Sequence, residues 1–172
     1  LQMLGTFLAH AILPDLISFS ASISACAKAA AWPAALHLMS KMFAVKTSPD
    51  TIAYNAVLSA CQKAGQWQLA FQFLVDMAVA RVCHSVVTYS TIISACSAEW
   101  KSALGILWKS MPGAKVIPNT ISFNAAISAC EKATSWQMAL QLPAQMHEFR
   151  AELDTVTYNA TITSIACEGV QW

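Results

Sequence analysis

The hydrophobic positions of this chain recur with the spacing of an α-helix. Tyr54, Leu58 and Cys61 stand at i, i+4 and i+7, which places them on one face of a helix. This helix is predicted to end near Gly65, because glycine is favoured just beyond a helix C-terminus. A second apolar stretch with helical spacing follows and contains Trp67, Ala70, Phe71, Leu74 and Met77. The pattern therefore predicts two helices joined by a short turn.

This pair of helices repeats along the chain. Cys26, Cys61, Cys96 and Cys130 are separated by 35, 35 and 34 residues. Tryptophan recurs with nearly the same period at Trp32, Trp67, Trp100 and Trp136, and methionine at Met42, Met77, Met111 and Met146. One helical hairpin cannot bury both of its apolar faces, so neighbouring hairpins must stack. The predicted fold class is all-α, an α-solenoid of stacked helix-turn-helix repeats of about 35 residues.

Recurring segments set the boundaries of the repeats. ISFSASISAC, IAYNAVLSAC, VTYSTIISAC and ISFNAAISAC begin four successive units. The predicted units are 16–50, 51–85, 86–119 and 120–154, preceded by the C-terminal part of a repeat at 1–15 and followed by a partial fifth repeat at 155–172. The third unit is one residue short overall: three residues separate Cys96 from Trp100, where five separate Cys61 from Trp67, and one extra residue appears between Trp100 and Met111. We predict a shortened turn and a partly compensated second helix there.

Composition narrows the classes of function. The chain has 172 residues, of which 56% are hydrophobic and 11% charged, with a net charge of +1. It contains no run of about 18 apolar residues, so no membrane partner is predicted. A net charge this low is unusual for a nucleic-acid binder. The chain begins at Leu1 and ends at Trp172 in mid-pattern, and we expect it to be part of a longer protein, with any targeting segment outside it.

No arrangement of residues indicates catalysis or a metal site. Cysteines that occur once per repeat are expected about 8–10 Å apart on stacked helices, whereas a disulfide needs Cα atoms within about 7 Å. No Cys-x-x-Cys, His-Glu-x-x-His or glycine-rich phosphate loop occurs. The cysteines at the repeat position are predicted to be small buried thiols, with Cys83 outside the pattern. The sequence predicts no catalytic residue, metal, cofactor or small-molecule substrate, and so not an enzyme.

A polar stripe runs along the other face of each first helix. It consists of the second, fifth, ninth and thirteenth residues of each unit, whose offsets of three and four fall on one side of a helix. The members are Ile17, Ser20, Ser24 and Lys28, then Ile52, Asn55, Ser59 and Lys63, then Val87, Ser90, Ser94 and Ala98, then Ile121, Asn124, Ser128 and Lys132. A branched apolar residue, small polar residues and a lysine fit a base-reading groove. An ordinary solvent-facing stripe would have the same composition.

The repeat resembles a known family. Each unit reads aromatic-Asn/Ser-x-x-Ile/Leu-Ser-Ala-Cys, with Lys-Ala-x-x-Trp, Ala-Leu/Phe-x-Leu/Phe, Met and Pro-Asp/Asn in most units, a pattern similar to the pentatricopeptide repeat (PPR) family over residues 16–166. The Trp-Leu-Gly…Tyr spacing of tetratricopeptide repeats is missing. The resemblance implies a right-handed superhelix that binds single-stranded RNA in a sequence-specific way, about one base per repeat. It also implies a mitochondrial or plastid location and a role in organellar RNA processing, stability, editing or translation.

The resemblance also assigns roles to residues. In the PPR family the fifth and last residues of a repeat select the base. Carried over, the base-selecting pairs are Ser20 with Asp50, Asn55 with Ser85, Ser90 with Asn119, and Asn124 with Asp154, while Asp15 ends an earlier pair and Asn159 begins a fifth. The base-sandwiching residues would be Ile17, Ile52, Val87, Ile121 and Val156. The phosphate-contacting residues would be Lys28, Lys63 and Lys132.

The chemistry of these pairs gives an RNA sequence. Serine is short and leaves room for a purine, whereas asparagine reaches a pyrimidine. Aspartate accepts the ring N–H of guanine or uracil, and asparagine or serine suits adenine or cytosine. The implied reading is G, then C or U, then A, then U in the 5′ to 3′ direction. The alternative is a helical-repeat scaffold for protein–protein interaction. The low net charge favours the scaffold, and the recurrence of Ser/Asn and Asp/Asn favours RNA, so protein partners stay open beside RNA.

Overall fold

The fold is built from helices alone in the part of the chain that the structure describes. The structure is a computed structural model and describes residues 15–97 and 99–166, in which every regular element is helical. The prediction of an all-α fold is confirmed. The chain divides into two compact bodies, an N-terminal body up to Cys83 and a C-terminal body from His84. The predicted repeat segment at 1–14, stripe residue Ala98 and residues 167–172 lie outside the described residues.

The N-terminal body contains two helical hairpins. Its helices are α1 (Leu16–Lys28), α2 (Trp32–Ala44), α3 (Thr51–Lys63) and α4 (Trp67–Val79). Helix α1 packs against α2 and α3, and α3 packs against α2 and α4. The apolar face read from the sequence is the core, because Ile23, Met42, Leu58 and Met77 are fully buried. The two first helices therefore lie side by side, each backed by a second helix.

The C-terminal body continues the same pattern. Its helices are α5 (Val86–Ala95), α6 (Trp100–Gly105), α7 (Met111–Gly113), α8 (Thr120–Lys132), α9 (Trp136–Glu148) and α10 (Thr155–Ala166). Helix α8 packs against α5, α9 and α10, so three first helices lie in a row. In the described residues of both bodies, no helix has the length and apolar character needed to cross a membrane.

The irregular third unit departs from the other units in two places. Helix α5 has 10 residues, whereas the other complete first helices have 13. Between α6 and α7 the chain forms a π-helical segment at Ile106–Ser110, and a π-helix takes up one additional residue within a turn. Four residues separate α5 from α6, whereas three separate the two helices of each other complete unit. The predicted shortened turn is therefore wrong, because the loss falls on helix α5, and the extra residue in the second helix is confirmed.

Each first helix begins at a residue whose side chain caps it. The carboxylate of Asp50 accepts a hydrogen bond from the backbone N–H of Ala53 at 2.8 Å, which satisfies one of the unpaired donors at a helix N-terminus. The equivalent bonds join Asp15 to Ser18, Ser85 to Thr88, Asn119 to Ser122 and Asp154 to Thr157. These caps are the residues that end the predicted units. The capping role, which the sequence reasoning missed, accounts for the recurrence of Asp, Asn and Ser without any ligand.

Most of the helices end in a left-handed residue. Ala30, Gly65 and Thr134 follow first helices with φ of 53°, 66° and 54°. After the second helices this conformation is adopted by Lys46, Arg81, Lys115 and Arg150. The next backbone N–H then bonds back into the helix, as from Gln66 to the carbonyl of Cys61 at 2.9 Å. Gly65 is the residue type best suited to this conformation, and the threonine at the same place is strained.

Candidate nucleic-acid interface

The fifth and last residues of the fourth unit are in direct contact. The side-chain amide of Asn124 donates to the two carboxylate oxygens of Asp154 at 3.1 and 3.2 Å. The hydroxyl of Thr157 lies 2.6 Å from Asn124 Oδ1 and 2.8 Å from Asp154 Oδ1, and its single hydrogen can be donated to either. These bonds fix the orientation of the Asn124 amide, since the opposite orientation would place its oxygen against the carboxylate.

The carboxylate of Asp154 is held in its charged form. Hydrogen bonds from the backbone N–H and the hydroxyl of Thr157, with a further bond from Asn124, lower the pKa of Asp154 below its usual value. At neutral pH Asp154 can therefore accept hydrogen bonds but cannot donate one. Its Oδ1 caps the helix, and its Oδ2 keeps room to accept a further hydrogen bond beside that of Asn124.

In the third unit the same two positions are joined through a hydroxyl. Ser90 is 6% exposed, and its hydroxyl donates to the carbonyl of Val86 at 2.8 Å. Ser90 Oγ also lies 3.1 Å from Ser122 Oγ, and the Ser122 hydroxyl bonds to Asn119 Oδ1 at 3.1 Å. Each hydroxyl has one hydrogen, so the two serines bond to each other when Ser90 donates to Ser122 in place of Val86. Ser90 then reaches Asn119 through Ser122, the third residue of the following unit.

In the first unit the connection is missing. Ser20 is 8% exposed, and its hydroxyl has no hydrogen-bond partner among the described residues. Asp50 caps α3 through the backbone N–H of Ala53. The place held by Ser122 and Thr157 in the later units is occupied here by Ala53, which is fully buried and has no hydroxyl.

The other predicted base-selecting residues are placed as follows. Asp15 caps α1 through Ser18, and the same hydrogen bonds lower its pKa. Asn55 is half-buried on α3 in the N-terminal body, while its predicted partner Ser85 caps α5 in the C-terminal body and forms a capping box with Thr88. Asn159 is exposed on α10. The pairing of Asn55 with Ser85 stays a prediction.

The predicted base-sandwiching residues have their side chains in solvent. Their exposed fractions range from 56% for Val156 to 75% for Ile17, and the others are Ile52, Val87 and Ile121. Burying such side chains is normally favourable. A β-branched apolar residue that is exposed in all five first helices is therefore available to a ligand surface.

The predicted phosphate-contacting lysines differ in their bonding. Lys28, Lys63 and Lys132 are exposed near the C-termini of their helices, where a positive charge complements the helix dipole. The ammonium group of Lys63 donates to the carbonyl of Ala27 at 2.8 Å, and so it also caps the end of α1.

An open groove lies between α8 and α10 in the C-terminal body. It has a volume of about 340 Å³ and is lined by Asn124, Ser128, Glu131, Val156, Asn159, Ala160 and Thr163. The groove brings together two stripe positions of the fourth unit, Asn124 and Ser128, and three of its successor, Val156, Asn159 and Thr163. Glu131 was not predicted to lie here, and it adds a carboxylate to the lining.

The residues with catalytic or metal-binding potential do not form a site. Among the described cysteines, Cys26, Cys61, Cys83, Cys96 and Cys130 are free thiols. Burial raises the pKa of Cys96 to about 12 and of Cys130 to about 11, so both thiols are protonated at neutral pH. The prediction that the repeat cysteines are all buried is wrong for Cys26, which is half-exposed. In the described residues no three His, Cys, Asp or Glu side chains converge on one point.

Comparison with known proteins agrees with the repeat pattern. Residues 49–98 match the PPR repeat family. No curated protein matches the chain. Among solved structures, the chain is similar to the maize pentatricopeptide repeat protein PPR10, with a TM-score of 0.75, 24% identity, and coverage of 97% of this chain and 24% of that protein.

Two structures determined with RNA are also similar. PPR10 in complex with an 18-nt psaJ RNA element gives a TM-score of 0.81 at 24% identity over 95% of this chain and 25% of that one. The PPR domain of Arabidopsis thaliana protein-only RNase P 1, in complex with tRNA, gives 0.70 at 18% identity over 86% of this chain and 79% of that one. The chain thus spans about a quarter of the length of PPR10. The likeness shows an all-α helical-repeat solenoid. The match to the PPR repeat family covers residues 49–98 of the chain, and the pattern of that segment recurs in the other units.

Proposed function

We propose that this chain binds single-stranded RNA sequence-specifically along the polar stripe of its first helices. The observation that carries the proposal is the contact between Asn124 and Asp154 at the edge of an open groove. Two residues that are 30 positions apart in the sequence meet there. One of them is an ionised acceptor, and the other is an amide with a second hydrogen to donate.

The groove supplies the chemistry that one base requires. The exposed side chains of Ile121 and Val156 can cover the two faces of a flat ring. Asp154 Oδ2 can accept the ring N–H of uracil, and the remaining amide hydrogen of Asn124 can be donated to a uracil carbonyl oxygen. Lys132 can meet a phosphate group. Uracil is therefore the base that we assign to the fourth unit.

The similar structures that contain RNA support the proposed binding of RNA. PPR10 was solved with an RNA element and the RNase P protein with tRNA, and this chain shares their fold. We propose that the chain acts as a binding module without catalytic residues of its own. On the family resemblance we propose a mitochondrial or plastid location and a role in organellar RNA processing, stability, editing or translation.

The alternative is a helical-repeat scaffold for proteins, and it has its own support. Ten basic and nine acidic residues leave a net charge of only +1. Phe43, Val75 and Val79 are exposed apolar residues on second helices of the N-terminal body, and exposed apolar side chains that cluster are typical of protein interfaces. In this alternative the stripe would be an ordinary solvent-facing surface.

Replacing Asn124 with serine tests the proposed function. The shorter side chain opens space for a purine, while Asp154 still requires a ring N–H, and guanine meets both conditions. The preference at this one base should change from U to G, because a good hydrogen-bonded base contact contributes about 1–3 kcal/mol of discrimination. The measurement is competition binding at low salt with RNAs that contain GCAU or the same site with its last base changed.

Gln137→Ser is the matched control, since Gln137 is exposed on α9 and lies outside the stripe. It should leave every base preference as it is. If Asn124→Ser behaves like this control, the stripe does not read bases. If the wild-type chain does not bind RNA at low salt, the protein scaffold is the better description.

A further inference from the structure

We propose that the third residue of each following unit is a specificity-determining positioning residue, which links the fifth and last residues of the unit before it. Thr157 and Ser122 provide this link for the fourth and third units, and Ala53 leaves the first unit without it. The inference rests on the proposed RNA binding, and it concerns how sharply each unit distinguishes between bases.

Thr157 occupies a place where its hydroxyl contacts both residues of the base-selecting pair. Its side chain is fully buried, and its hydroxyl oxygen lies within 2.8 Å of both Asn124 Oδ1 and Asp154 Oδ1. A buried hydroxyl without a partner would be unfavourable. The hydroxyl also accepts the backbone N–H of Asp154 at 3.4 Å, so the position serves the helix cap as well as the base-selecting pair.

The ionised carboxylate of Asp154 draws the amide nitrogen of Asn124, and the hydroxyl of Thr157 holds the amide oxygen on the other side. Uracil presents a ring N–H and a carbonyl oxygen, whereas cytosine presents a ring nitrogen and an amine at the same two places. With the amide held, the pair offers an acceptor and a donor, which matches uracil. Without the hydroxyl the amide is held at one end only, and a rotated amide would direct its oxygen to the amine of cytosine. The hydroxyl thus favours uracil over cytosine without touching either base.

Ser122 performs the same role in a different pair. It is fully buried, and its hydroxyl lies 3.1 Å from both Ser90 Oγ and Asn119 Oδ1. The linking hydroxyl therefore occurs with two different fifth residues and two different last residues. This makes it a property of the third position and not of one side-chain combination.

The first unit shows what happens without the hydroxyl. The nine-tenths buried hydroxyl of Ser20 has no partner among the described residues, and Asp50 bonds to the backbone of Ala53 and not to its side chain. A serine at position 53 would stand where Ser122 stands in its own unit, next to a fifth-position serine and a cap, Asp50, that also offers a side-chain oxygen. The first unit should therefore read its base less sharply than the fourth.

Removing and restoring the hydroxyl of Thr157 is the first test. Thr157→Val has nearly the same shape without the hydroxyl, and Thr157→Ser keeps the hydroxyl. The ratio of affinities for RNAs with U and with C at this base should fall about fivefold in Thr157→Val and should stay near the wild-type value in Thr157→Ser. A role limited to helix stability would weaken both RNAs equally and leave this ratio unchanged.

Adding the missing hydroxyl is the second test, and it covers the case in which Thr157→Val does not fold. Ala53→Ser should raise the preference for G at the base of the first unit about fivefold, and it should raise the melting temperature by giving Ser20 a partner. Ala70→Ser is the matched control, because Ala70 is equally buried in the same body but away from any base-selecting residue; it should lower the melting temperature and leave base preference unchanged.

The results separate the two proposals. If the wild-type chain binds RNA and Asn124→Ser changes its base preference, but Thr157→Val and Ala53→Ser do not, the third position has no role in specificity and the proposed function stands. If the wild-type chain binds no RNA, both proposals fail. A lower U-to-C ratio in Thr157→Val, or a sharper G preference in Ala53→Ser, supports the link.

Discussion

The first and fourth units have the same length and the same ends, yet their central residues are bonded differently. Both have 35 residues, two helices of 13 residues and a final aspartate that caps the next helix. In the fourth unit Asn124 is half-buried and bonded to Asp154 and Thr157. In the first unit Ser20 is buried and its hydroxyl has no described partner.

The difference shows that two side chains at the same position of the repeat can have different burial and different hydrogen-bond partners. The fifth place is buried when it holds serine, as in Ser20 and Ser90, and at least partly accessible when it holds asparagine, as in Asn55, Asn124 and Asn159. Side-chain length therefore determines how far a unit reaches into the groove. The residue three places into the following unit then determines whether that side chain is held.

The largest expected effect tests what the two units share. Ile23 and Ile127 occupy the same repeat position and are fully buried. Ile23→Ala and Ile127→Ala should each lower the free energy of unfolding by about 2–5 kcal/mol, measured by urea denaturation. If one substitution has almost no effect, the two units do not have equivalent cores.

The cysteine at the repeat position differs in burial between the first and fourth units. Cys130 is fully buried, whereas Cys26 is half-exposed. Cys130→Ser should lower the free energy of unfolding by about 1–3 kcal/mol, because it buries a hydroxyl, and Cys26→Ser should cost less than about 1 kcal/mol. At neutral pH Cys130 should also react slowly with an alkylating reagent, since its pKa is raised to about 11. Equal costs for the two substitutions would contradict the difference in burial.

Substitutions in the inter-helix turns should change the free energy of unfolding by a smaller amount. One of them should raise it and the other should lower it. Thr134 adopts a left-handed conformation that is costly for a branched side chain, so Thr134→Gly should stabilise the chain by about 0.5–1 kcal/mol. Gly65→Ala should destabilise it by a similar amount. A β-carbon on Gly65 would meet no atom within 4 Å, so the cost arises from the backbone alone. Thermal unfolding of both variants measures this, and Ala30→Gly should fall between them.

The smallest expected effect concerns the lysines of the stripe. Lys63 caps the carbonyl of Ala27, and Lys132 is exposed at the same place in its unit. Each Lys→Met substitution should reduce the salt dependence of RNA binding by roughly 0.7 in the slope of log K against log salt concentration. Lys63→Met should in addition lower the free energy of unfolding by about 1 kcal/mol. If both variants keep the wild-type salt dependence, the RNA phosphates do not contact these lysines.

Much of the fold could be predicted because its signals are local. The apolar spacing of Tyr54, Leu58 and Cys61 defines a helix face within two turns, and Gly65 marks the end of that helix. The extra residue before Met111 was also readable, and the structure shows the π-helical segment that absorbs it. The residues missing before Trp100 were readable too, but the structure takes them from helix α5 and not from the turn. The caps could have been found by the same reasoning, since Asp, Asn or Ser directly precedes each first helix.

The sequence by itself therefore determined the helices, their turns and the repeat that stacks them, because these depend on residues within a few positions of one another. Only the tertiary structure decided which polar side chains are held and which are free. Asn124 meets Asp154 30 residues away, Ser90 meets Ser122 32 residues away, and Lys63 meets the carbonyl of Ala27 36 residues away. Such bonds depend on how neighbouring helices pack, and a single missing hydroxyl at Ala53 changes them without altering any helix.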